Sequence, residues 1–264
     1  MIRLFTVVLI VLASSLANGA SVTDSARKER ALARRAEHLV SLGGLVEKPY
    51  SGAHIEIVLA TRRIVPGDVN SLAADIHRFT ALPFRVSGVP EERWTDPIAL
   101  ARGTLAGAQA GSVVVIGEDD KFPTLLAAPE EGWSFINMAR LADENPTSEV
   151  LAKRMKKELW RAVAYGVGMK SQMQPCALQI VKNVADLDHM VIEMCSPEAQ
   201  NRMLAAAADR SIRPAYRANY KKACMEGWAP APTNDIQKAI FERVKADKER
   251  GPSKPLTIAP PAKK

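Results

Sequence analysis

The chain has 264 residues, 47% of them hydrophobic, which is enough for one core of ordinary size plus an appendage. Its formal net charge is +7, with 36 Lys and Arg against 29 Asp and Glu. The basic residues are dispersed, aromatics make up only 5%, and no aromatic-basic interleaving of the base-stacking kind occurs, so the composition argues against nucleic acid as a partner.

The N-terminus carries a targeting pattern. Arg3 supplies a positive charge, Leu4 to Leu12 is apolar but for Thr6, and Ala17-Asn18-Gly19 fits a small-residue cleavage site. A signal peptide is expected over residues 1–19, with Ala20 as the new start. The apolar run is short for a membrane span, no cysteine follows it to take a lipid, and no other stretch approaches 18 apolar residues. The expected protein is therefore exported, secreted or periplasmic, with no stable membrane insertion after cleavage. Export makes a disulfide natural among Cys176, Cys195 and Cys224.

Ser25 to Leu42 reads as a charged amphipathic helix stopped by Gly43-Gly44. His54 to Ala60 is a short apolar strand, and Asp68 to Thr80 a helix with Val69, Leu72, Ala73, Ile76 and Phe79 on one face. Pro83 to Val89 is a second strand. Asp96 caps a helix with Pro97 at its first position, running to about Ala110. Val113 to Ile116 is a buried strand, Thr124 to Ala127 an edge strand, and Trp133 to Ala139 another strand. Thr147 or Ser148 caps a long helix with Leu151, Met155, Leu159, Ala162 and Gly166 as its apolar stripe. The order β-α-β-α-β-β-β-α gives an α/β (α+β) domain with a mixed sheet. Ser196-Pro197-Glu198 opens a helix through Ala208, Ala215 to Met225 suggests another, and Thr233 or Asn234 caps a last one to about Lys248. Pro and Lys dominate the tail from Gly251.

The long helix has the rhythm of a zinc-peptidase helix. In H-E-x-x-H the two histidines at i and i+4 share a face and reach one metal, and the glutamate between them activates the bound water. Here those positions read Lys157-Glu158-Leu159-Trp160-Arg161, and the third ligand position falls at or near Val167. A protonated lysine and an arginine have no lone pair for a metal at neutral pH. At helical spacing Lys157 and Arg161 read as a face opposite the apolar stripe, solvated or lining a cleft.

Val113 to Leu141, the helix, Cys176-Ala177-Leu178, Asp186-Leu187-Asp188 and Cys195-Ser196-Pro197-Glu198 together resemble an archaemetzincin, a metzincin-type zinc peptidase, over residues 52–200. The resemblance implies a zincin-like fold with packed helices. Glu158, Cys176 and Cys195 match family positions. Lys157, Arg161 and Val167 stand where the catalytic histidines would, Leu178 where a methionine would, and Glu198 where a cysteine of the second zinc site would. No metal ligand set and no cofactor is expected. Glu158 reads as a relic of the general base, Lys157, Glu158 and Arg161 as a binding face, and Cys176–Cys195 as a disulfide candidate that staples the loop, with Cys224 an alternative partner.

The expected division is a signal peptide (1–19), a helical extension (20–50), the metzincin-like domain (51–200), a helical C-terminal appendage (201–250) and a tail (251–264). The expected function is that of an exported pseudopeptidase that binds a peptide or protein in the former substrate cleft, with strand addition along Thr124–Ala127. Two other readings stand beside it: an active hydrolase with Glu158 as base and an unrecognised metal site, and a structural cell-envelope protein that uses its basic tail.

Overall fold

The computed structural model describes residues 22–94, 96–107, 109–171, 177–190 and 197–250, with side chains from 27 to 249 of that set except Arg93. The expected signal peptide, the tail, Cys176 and Cys195 lie outside the described residues. The chain divides into two compact units. One is Pro49–Tyr216, and the other joins the two ends of the chain, up to Lys48 and from Arg217. The division thus puts the N-terminal extension and the last helices in one unit and keeps residues 201–216 with the sheet.

The larger unit holds a five-stranded sheet. Its strands are β2 (His54–Ala60), β3 (Phe84–Gly88), β4 (Ala110–Gly117), β5 (Leu125–Ala128) and β6 (Trp133–Asn137), in the order β3-β2-β4-β6-β5. Only the edge strand β5 runs antiparallel to its neighbour. The apolar runs Ile55 to Ala60 and Val113 to Ile116 suit central parallel strands covered on both faces. On one face Ile55, Ile57, Leu59, Val114, Ile116 and Ile136 pack with helix α2 (Pro66–Thr80) and helix α5 (Ser148–Gly166). On the other, Val58, Val113, Val115, Trp133 and Phe135 pack with helix α3 (Pro97–Gly107). The fold is a mixed-sheet α/β architecture.

Local signals set most boundaries. Asp96 Oδ1 accepts from the backbone N–H groups of Ile98 and Ala99, so α3 starts at Pro97. It ends at Gly107, and Ala110, expected in the helix, already belongs to β4. Strand β6 stops at Asn137, not Ala139. The Asn137 amide donates to the carbonyls of Asp119 and Phe122, and its Oδ1 accepts from Asp119 N and Ala139 N. That side chain turns the chain into the short helix α4 (Met138–Leu141). Thr147 caps α5 through Val150 N. Helices α6 (Val184–His189) and α7 (Pro197–Asp209) follow, α6 capped by Asn183.

Helix α5 lies close to the sheet because Gly166 has no side chain. A Cβ there would meet Ser112 Oγ at 2.6 Å. Ser112 is fully buried, and its hydroxyl has no hydrogen-bond partner among the described residues.

The smaller unit pairs β1 (Leu45–Glu47) antiparallel with β7 (Arg217–Asn219), and adds helices α1 (Val22–Ser41), α8 (Tyr220–Glu226) and α9 (Asp235–Arg250). The helix expected over 215–225 thus begins as a strand. Asn219 caps α8 through Lys222 N, and β1 takes the residues before it. Gln237 closes the unit, donating to Gly43 O at 2.8 Å while its Oε1 accepts from Thr233. Gly43 has φ +81, and a Cβ there would lie 2.7 Å from Tyr220 Cβ. Cys224 is a buried free thiol. Among the described residues no helix is long and apolar enough to cross a membrane.

Gly166→Ala should destabilise the larger unit by about 1–3 kcal/mol, because the added methyl overpacks the helix–sheet contact. Ser112→Ala removes an unpaired buried hydroxyl and should be neutral or stabilising by up to about 1 kcal/mol. The double variant should recover most of the loss, read as non-additive midpoints in urea unfolding.

Candidate functional site

From Arg154 to Gly166 nearly every residue of α5 is buried, whichever way it points. The side toward the sheet takes Leu159, Ala162 and Val163. Trp160 meets Phe79 of α2, ring centroids 6.3 Å apart. The remaining side carries Arg154, Lys157, Glu158, Arg161 and Tyr165, and the segment 177–190 lies over it.

Lys157 and Arg161 therefore do not form a solvated face; they are 7% and 4% exposed. The reason is the cover provided by residues 177–190, which helical spacing does not reveal. Lys157 Nζ donates to the carbonyls of Leu187 (2.8 Å) and Asp188 (3.3 Å). Arg161 Nε donates to Glu158 Oε2 at 2.8 Å, and its Nη1 donates to Ala177 O (3.1 Å) and Gln179 O (2.6 Å). Its guanidinium carbon stands 5.7 Å from the Tyr165 ring centroid. Glu158 is fully buried, and its Oε1 accepts from Thr124 Oγ1 at 2.9 Å. Both carboxylate oxygens are thus engaged, and neither faces solvent.

One residue of this row escaped the sequence reading. Arg154, 3% exposed, forks onto Asp188, with Nε to Oδ1 at 2.9 Å and Nη2 to Oδ2 at 2.6 Å. Its Nη1 donates to the carbonyls of Leu141 and Asp143. The signal for Arg154 was its position one turn before Lys157; the partner Asp188 is 34 residues away and had no local signature. His189 is an exposed residue ending α6, its Nδ1 paired with Ala185 O.

Burial pushes the Glu158 carboxyl above the usual glutamate range, against the pull of the Arg161 charge and of the hydrogen bonds from Thr124 and Arg161. Asp188 shifts the other way, held below the usual range chiefly by the Arg154 hydrogen bonds.

Beside this row lies an open cleft of about 460 Å³. Leu125 and Ala127 of β5 form one side, with Pro129 and Glu130 of the following turn. Arg161, Tyr165, Ile180 and Val181 form the other. Arg210 braces the turn by donating to the carbonyls of Pro129 and Glu130. The outer edge of β5 is readable from the ladder. Asn137 N donates to Thr124 O, so Thr124 and Leu126 direct their main-chain groups at β6. Leu125 and Ala127 then direct theirs away from the sheet. Within the row, Arg161 Nη2 has no hydrogen-bond partner among the described residues, and Arg161 lines the cleft.

No protein-family model and no curated protein match the chain. Solved structures do. The chain is similar to archaemetzincin from Methanopyrus kandleri at 16% identity, covering 60% of this chain and 96% of that one, with TM-score 0.47. It is similar to a zinc-dependent peptidase from Methanocorpusculum labreanum at 15% identity, covering 56% and 99%, TM-score 0.45. It is also similar to archaemetzincin from Archaeoglobus fulgidus, a structure complexed with malonate, at 16% identity, covering 56% and 99%, TM-score 0.41.

The residues at the frame positions do not fit a zinc ion. Lys157 spends its ammonium protons on two carbonyls, Arg161 is a guanidinium, and Val167 is an apolar residue at the helix C-terminus. Among the described residues no group of three His, Cys, Asp or Glu could hold a metal.

Arg161→Met should cost about 3–5 kcal/mol, because it leaves the buried Glu158 carboxyl without its ion-pair partner. Adding Glu158→Gln should restore part of that. A buried acid with a raised value binds its proton more tightly folded than unfolded, so its contribution favours the low-pH side. Stability should fall as pH rises from the ordinary carboxylate range toward the raised value. Urea unfolding from about pH 4 to about pH 8 should show that slope reduced in Glu158→Gln.

Proposed function

We propose that this protein is an exported, non-catalytic member of the peptidase-like α/β folds that binds an extended peptide along the free edge of β5. The observation that carries this reading is the outward-facing main chain of Leu125 and Ala127 at the wall of an open cleft. An unpaired edge of that kind accepts one more strand, and main-chain hydrogen bonds supply the affinity. The unspent Nη2 of Arg161 at the opposite wall suits a ligand carboxylate, such as a peptide C-terminus. Of the expected binding residues, Arg161 lines this cleft; Lys157 and Glu158 do not and act through it.

The absence of hydrolysis follows in this reading from the donor set. Glu158 would have to reach a water, yet both its oxygens hold protein donors inside a sealed interior. Export rests on the N-terminal pattern and is tested by the mass of the released chain, which should begin at Ala20.

A labelled hexapeptide of alternating Val and Thr with a free C-terminal carboxylate is a suitable probe. Ala127→Pro removes an outward N–H without touching the β5–β6 ladder, and should weaken binding at least about 10-fold while the fold survives. The amidated probe should bind several-fold less tightly than the free acid. Binding unaffected by Ala127→Pro would refute strand addition. Stoichiometric zinc in the purified protein, with peptide hydrolysis abolished by Glu158→Gln, would establish the hydrolase reading instead.

A further inference from the structure

We infer that Arg154, Lys157 and Arg161 form a metal-free clamp that fixes residues 177–190 as the outer wall of the cleft, and that its far end, Arg154–Asp188, controls binding at the near end. The inference rests on the peptide-binding reading for its second half only.

The contacts are unusual in what they grip. Four of the carbonyls held by the three cations belong to the covering segment: Ala177 and Gln179 at one end, Leu187 and Asp188 at the other. The segment is fastened at both ends by cations on one helix. Ile180 and Val181, which line the cleft, follow directly on Gln179, the residue whose carbonyl Arg161 holds at 2.6 Å. The segment also has buried apolar anchors in Ala177, Leu178, Val184, Leu187 and Met190, and the hydrogen bonds fix the positions of its main chain beside them.

Charge fits the role. Arg154 and Arg161 are each matched by a carboxylate, Asp188 and Glu158, and Lys157 is matched by carbonyl dipoles and the nearby Asp188. The clamp needs no external ion to be neutral enough for burial. Arg154 and Arg161 are seven residues apart, about 10 Å along the helix axis. Loosening one end shifts the other through the segment itself. A clamp that grips backbone carbonyls tolerates any side chain in the segment.

Hydrogen exchange on the full chain, paired with affinity for the labelled Val-Thr hexapeptide, tests this. Asp188→Asn removes a partly exposed carboxylate that does not line the cleft, and Lys157→Met removes the donors while keeping the aliphatic stem. Both should raise exchange in residues 177–190 about 10-fold or more, with amides of β2 and β4 unchanged. Asp188→Asn should also weaken the probe several-fold through faster release. Chelator should change neither readout. Unchanged exchange in Asp188→Asn, or exchange opened by chelator alone, would overturn the clamp. Exchange raised without loss of probe affinity would overturn its control of binding. Should the probe fail to bind the native chain, the peptide reading fails, and exchange and chelator still decide the clamp.

Discussion

A helix enclosed on every side has to find a partner for each charge it carries. Helix α5 is nearly such a helix from Arg154 to Gly166, and four of its buried residues there are charged. An unpaired ion in that position costs several kcal/mol, more than a typical domain can spare. Each is accordingly bonded: Arg154 to Asp188 and two carbonyls, Lys157 to two carbonyls, Glu158 to Thr124 and Arg161, Arg161 to Glu158 and two carbonyls. Those bonds dictate where residues 177–190 lie. They bring Thr124, just before the edge strand, onto the same network. The wall of the cleft and the place of Arg161 in it follow from this requirement.

The same requirement bears on chemistry. A glutamate one residue after a lysine, with an arginine three residues further on, is in sequence an acid left between two bases. In the structure it is an acid whose oxygens are already occupied. General-base catalysis needs a carboxylate that reaches water or substrate, and Glu158 is fully buried with its two oxygens held by Thr124 and Arg161. Its raised value arises from burial, the ordinary consequence of an interior ion, and does not require a catalytic role. In the proposed reading the binding surface lies at the edge of β5 and the outer tip of Arg161 rather than at the frame residues.

Where the sequence reading and the structure part, the causes are side chains acting at a distance. Strand β6 ends early because the Asn137 side chain holds the carbonyls of Asp119 and Phe122. The stretch 215–225 begins as a strand because residues 45–47 pair with it across the length of the chain. Lys157 and Arg161, legible as an i, i+4 pair, left a solvated face and a cleft lining equally open, because nothing local announces that residues 177–190 cover them. Arg154–Asp188, the strongest pair in the row by geometry, links positions 34 residues apart.

The sequence by itself determined the succession of strands and helices, the edge position of β5, the Asp96 and Thr147 caps, and the chemical unfitness of Lys157, Arg161 and Val167 for a zinc ion. These are local facts, since apolar periodicity, caps and lone pairs are properties of neighbouring residues. Only the tertiary structure decided that α5 is enclosed, that its cations clamp a remote segment by the backbone, that Glu158 is sealed, and that Leu125 and Ala127 present the free edge to a cleft. Those facts depend on which surfaces meet once the sheet, the helix and residues 177–190 are stacked, and burial is what turns a row of charges into an obligation to bond.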